Sequence, residues 1–173
     1  SVHVGDIIEL DGKVGRVEEI KLRTTRAVTI DNKVLIIPNH LYLTNSLYNW
    51  TQNGTTTREN VEVGVAYGTD VSLVRKLLLA CAEGHGDVLK RPKPDVFFQD
   101  FGDSALIFEL LFWTRRTFER ERVMSDLRFS IDTAFRRHNV QIPFPQRDLH
   151  IIQSQAAANI LNIQKLDDQE QAT

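Results

Sequence analysis

The chain is short of cysteine, of long apolar runs and of net charge, and each shortage removes a class of explanation. Cys81 is the only cysteine in 173 residues, so an intramolecular disulfide is excluded and a reducing compartment fits. It falls at an apolar position of a helical pattern, which reads as a buried, inert thiol. A bilayer crossing takes about 20 apolar residues. The best run here, Ala105 to Trp113, has nine and contains Glu109. No signal peptide is visible. Lys and Arg number 21 against 23 Asp and Glu, a formal charge of −2, and this near-neutrality argues against a nucleic-acid binder.

Reactive constellations are also missing. His3, His40, His85, His138 and His150 are scattered, with no metal-ligand spacing and no cysteine partner, so no metal site is expected. No glycine-rich phosphate cradle lies between a strand and a helix, so no nucleotide or other cofactor is expected either. Ser104 lacks a nucleophile-elbow context and reads as part of a hairpin turn. Asp100 and Asp103 flank the same turn, where an acid/base pair would need a cleft. The residues suggest no enzyme.

What is present divides into two patterned regions. From Val4 to Asn39, four strand-like segments alternate with the turn pairs Asp11-Gly12 and Asp31-Asn32, whose residues tolerate positive φ. Gly15 interrupts the second segment, where a missing Cβ permits a sharp bend. A small, bent, all-β module follows. After Asn53-Gly54 and a Thr-rich linker, Val61, Val63 and Val65 alternate as a half-buried strand. Gly68-Thr69-Asp70 stops that strand and caps a helix, whose buried stripe is Val71, Val74, Leu77, Leu78 and Cys81. Extended segments follow at Asp95 to Phe101 and Ala105 to Trp113. A helix then runs from Phe118 to His138 with Val123, Leu127, Ile131, Ala134 and Phe135 on one face, and a short strand from Val140 to Phe144 closes the series. The order β-α-β-β-α-β is that of ferredoxin-like domains.

The first region resembles the cytoplasmic β domain of the small-conductance mechanosensitive channel family. Val4-Gly5-Asp6, Gly12 to Val17, Arg23 to Thr25, Asp31-Asn32 and Ile37-Pro38-Asn39 follow that family's pattern in order. Val71 to Arg75, Leu89 to Pro92, Phe101 to Ser104, Phe108 to Trp113 and Ile142 to Gln146 look like motifs of its αβ domain. The resemblance spans about residues 2 to 152. It implies a small Sm-like bent β-barrel over residues 1–51, a ferredoxin-like αβ domain over 52–145, and a terminal barrel strand with a flexible tail over 146–173. It further implies the soluble cytoplasmic portion of a channel in the cell inner membrane, attached through N-terminal pore helices that this chain does not contain. The chain starts with Ser rather than Met, in the middle of a motif that the family places just after a membrane helix. Such channels assemble as homo-heptamers and open under tension, passing ions and small solutes in hypo-osmotic stress.

Within that frame, Pro38 and Asn39 mark the membrane-side turn. Leu106, Phe108, Leu110 and Phe112 fill the helix-covered face of their strand, while Ile107, Leu111 and Trp113 make the opposite face apolar too. That face is covered either by the same chain or by a neighbouring subunit. Leu149 and Ile151, in the segment Asp148 to Ile152 expected to feed the terminal barrel, are the other interface candidates. Residues 115–137 hold seven arginines and four acids, a pattern of a solvated or salt-bridged surface. If the face lines a chamber, Arg128 and Arg136 would bias which ions gather there. The competing reading is a soluble oligomeric module binding RNA or a small metabolite, against which neutrality and the lack of paired exposed aromatics on a basic sheet count.

Overall fold

The computed structural model describes residues 1–151. It contains two separate antiparallel sheets. The first is built from β1 (Ile7–Leu10), β2 (Lys13–Ile20), β3 (Thr24–Val28), β4 (Val34–Pro38) and β5 (Tyr48–Asn49), with the one-turn helix α1 (Leu41–Thr44) before β5. Asp11 and Gly12 both take positive φ, 49° and 73°, the backbone a two-residue hairpin requires. Ile8, Leu10, Val17, Ala27 and Ile37 form its small core.

The expected barrel is not formed. The strand order is β4-β3-β2-β1-β5, an open sheet with β4 and β5 as edges. The cause is local. α1 consumes the residues that would extend β5, which pairs only Tyr48 with Glu9 and Asn49 with Ile8, too short a strand to reach back to β4. Gly15 is not the bend: the register shift falls between Val17 and Glu19. A Cβ on Gly15 would lie 3.1 Å from that of Ala27, so this glycine permits close packing of β2 on β3 instead.

The second sheet has the order β6-β8-β7, formed by β6 (Thr57–Val65), β7 (Asp95–Phe101) and β8 (Leu106–Thr114). Helices α2 (Val71–Glu83) and α3 (Arg120–Arg137) pack on one face. The core joins Leu106, Phe108, Leu110 and Phe112 of β8 to Val74, Leu77 and Leu78 of α2 and Val123, Leu127, Ile131 and Phe135 of α3. Two positions depart from the expected α2 stripe. Val71 is 39% exposed because it opens the first turn, and Ala82 replaces the half-buried Cys81 as the last buried contact.

The closing strand at Val140 to Phe144 does not form. Asn139 ends α3 in the left-handed region, φ 54°, and Val140 folds back so that its N–H donates to Phe135 O at 2.9 Å. One ladder-like bond remains, from Ala66 N to Gln141 O at 2.9 Å. Pro143 and Pro145 remove donors that a longer ladder would need. Residues 148–151 likewise form no strand, which corrects the expected terminal barrel strand as far as Ile151. The expectation of a flexible tail falls mainly on residues 152–173, which lie outside those described.

Candidate functional site

Three places emerge from the residues singled out by sequence. At the tip of the first sheet, Pro38 ends β4 and Asn39 binds two turns together. Its N–H donates to Arg23 O at 2.9 Å, and its Nδ2 donates to Lys21 O and Leu22 O at 2.8 and 3.2 Å. Its Oδ1 accepts from the hydroxyl of fully buried Thr25 at 2.8 Å. His40 follows with φ −63°, a helical conformation open to any residue. Leu22 projects from the turn between β2 and β3 and Leu43 from α1, 93% and 89% exposed.

On the second sheet, the side chains expected opposite the helices divide. Leu111 is buried within this single chain, whereas Ile107 and Trp113 are half-buried. Gly102 and Gly64 lie close under this face: a Cβ on Gly102 would crowd Ile107 at 3.2 Å, and one on Gly64 would crowd Ala105 at 3.1 Å and only touch Ile107 at 3.6 Å. Trp113 O also accepts from Leu89 N at 2.8 Å. On the edge strand β7, Phe98 and Phe101 stand in register with Phe108 and Leu106 and so belong to the helix-covered face, with Phe98 4.8 Å from Phe101 and 4.7 Å from Phe108 between ring centroids. Leu149 and Ile151 lie exposed in irregular backbone.

The arginines from 115 to 137 are mostly held by acids. Arg116 reaches Asp87 at 3.3 Å, Arg122 reaches Asp126 at 3.9 Å, and Arg136 reaches Asp132 one turn away at 2.8 Å. That last hydrogen-bonded pair raises the Arg136 pKa. Arg128 is exposed on the same helix. Among the histidines, His85 serves structure. His85 Nδ1 accepts from Asp87 N at 3.1 Å, which leaves Nε2–H to donate to Asp126 Oδ2 at 3.2 Å and ties the end of α2 to α3. No cluster of three metal-ligating side chains exists among the described residues.

Sequence reasoning missed a fourth place, the seam between the sheets. The Arg120 guanidinium lies over the Trp50 ring, 4.2 Å from its centroid, with Glu59 at 3.6 Å. Arg16 lies over Phe118 at 4.7 Å. Trp50 sits at the end of the expected β domain and Arg120 in the charged helix, so neither stood out; an aromatic at a domain boundary was the one available signal.

Comparison with known proteins follows this division of the chain. The family model described as "Mechanosensitive ion channel, beta-domain" matches residues 1–52, and "Mechanosensitive ion channel MscS, C-terminal" matches residues 59–142. Mechanosensitive channel MscK of Escherichia coli is 39% identical over 150 residues, covering 87% of this chain and 13% of that protein. The small-conductance mechanosensitive channel of Edwardsiella ictaluri is 28% identical over 150 residues, covering 87% of this chain and 52% of that one. The crystal structure of Helicobacter pylori MscS in its closed state superposes with a TM-score of 0.79 at 27% identity, over 88% of this chain and 60% of that one. The chain thus spans between about one seventh and about half the length of the curated relatives it matches.

Proposed function

Because the chain belongs to the MscS mechanosensitive ion channel family, we propose that it is the cytoplasmic vestibule portion of a channel that opens under membrane tension. Opening would release ions and small solutes in hypo-osmotic stress. The observation that carries this reading is the consecutive match of both family models, supported by the superposition on MscS over 88% of the chain. No described helix is long and apolar enough to cross a membrane, so the pore would come from another part of the protein. The family is one of channels, and the chain is not read as an enzyme.

Several finer assignments belong to the same proposal. Residues 1–51 and 52–145 would be separate domains under the pore of an inner-membrane homo-heptamer. Asn39 and Pro38 would face the membrane. Ile107, Trp113, Leu149 and Ile151 would contribute to subunit contacts, Leu111 being covered already by its own chain, and Arg128 and Arg136 would line the chamber through which ions pass.

The test is patch-clamp recording of the full-length gene product in a host lacking its own tension-gated channels. Tension-activated current is expected, with Arg128→Glu plus Arg136→Glu shifting the reversal potential toward cation preference. A membrane-inserted protein that passes no current at lytic tension would refute the channel reading. Unchanged selectivity in the double variant would remove the chamber role of the arginines alone.

A further inference from the structure

The two sheets are held together by very little. No helix or strand of the first sheet makes an extended contact with one of the second. The linker is pinned at both ends. On the first side Trp50 N donates to Ile7 O at 2.8 Å and Ile7 N to Thr51 Oγ1 at 3.0 Å. On the second, Thr117 Oγ1 donates to Thr55 O at 3.0 Å. Between those anchors lies Gly54, φ 120°, a backbone state that only glycine adopts freely. Open clefts of about 550 and 330 Å³ flank the seam, and Trp50 and Arg120 line both.

We propose that Arg120 is a releasable latch fixing the first sheet against the second, and that freeing it lets the two halves swivel about Gly54. The side chain is suited to this because one planar group meets both halves. Its face covers Trp50 of the first half, and its edge meets Glu59 on β6 of the second. A guanidinium stacked and paired at once is fixed in orientation as well as position.

Loosening of the latch is built into the ionic partner, because Glu59 and Arg120 share the second half and their pairing fixes how the guanidinium sits over Trp50. Glu59 is only 11% exposed, and a buried carboxylate gains from its partner little more than it loses in hydration. Burial pushes the Glu59 carboxyl up; Thr57 and Arg120 work against this, and Glu121 reinforces it. Glu9 and Tyr48 of the first half and Arg58 of the same strand line the cleft beside it. Protonation of Glu59 therefore begins at milder acidity than for an ordinary carboxylate, and it leaves Arg120 with only the Trp50 face.

The experiment uses the 173-residue chain. In a Trp113→Phe background, Trp50 is the sole indole and reports the seam directly. Arg120→Ala is expected to raise acrylamide quenching of Trp50 at least twofold. It should also broaden the distance distribution between spin labels at Leu43→Cys and Phe129→Cys, with Cys81→Ala. Glu59→Gln should give a smaller change and abolish an acid step in quenching that the parent shows above the usual carboxylate range. Arg120→Lys and Glu59→Gln serve where the alanine variant loses its fold by circular dichroism. Folded variants with parental quenching and parental distances would overturn the latch, and a parent with no acid step would overturn release by Glu59.

Discussion

At Asp6, two opposed physical effects can be weighed. Burial works against its ionisation, yet the His3 N–H, the Asn49 amide and the Thr51 hydroxyl together outweigh burial and hold the carboxyl below the usual range. A carboxyl lowered in the folded state contributes stability above its unfolded pKa of about 4 and loses it as pH falls through the folded value. Glu59, raised by burial, has the opposite sign: its contribution is full below the unfolded pKa and is lost as pH rises through the folded one. Urea midpoints measured from pH 2 to 7 should therefore fall less steeply on acidification in Asp6→Asn than in the parent. Parallel curves would show that Asp6 carries no linkage. Asp6 was legible only as part of a motif, because its two side-chain partners are 43 and 45 residues away and no local spacing announces them.

At the level of single elements, the two long helices show what a sequence can and cannot mark. Asp70 was readable as a cap, and its Oδ1 accepts from Ser72 N and Leu73 N at 2.9 and 3.3 Å. Asp70→Ala should cost about 1 kcal/mol, seen as a lower urea midpoint with an unchanged slope; a midpoint within error of the parent would mean that tertiary packing alone sets the helix start. α3 has no such signal, since Glu119 makes no side-chain cap bond, and the pattern placed its start at Phe118. That ring is taken instead by Arg16 across the seam. The alternating strands and helical stripes were legible because burial imposes their period. The open first sheet and the missing closing strand were not, since both depend on a few residues, α1 and Asn139-Val140, whose backbone overrides the pattern around them.

For the whole molecule, the two cores are unequal and separate. Among the described residues, five buried apolar side chains cluster in the core of the first sheet, against seventeen in the second. With so small a seam between them, little free energy is shared, and each half should open largely by itself. Hydrogen exchange followed by mass spectrometry should show amides of β1 to β4 exchanging on the order of tenfold faster than those of β6 and β8. Equal rates across both halves would show that the seam couples them into one unfolding unit. The latch could not be found by reading along the chain, because Trp50, Glu59 and Arg120 meet only through the fold.

The bonds around Asn39 have a mechanical consequence. A hairpin pulled from its open end yields one rung at a time, each rung bearing the full load in turn. Asn39 instead grips Arg23, Lys21 and Leu22 by three donors while Thr25 holds its oxygen. A pull that separates the two turns is shared among these attachments, so they resist as a rivet does and fail together. Force arriving at either turn would reach the sheet beneath as a displacement of both.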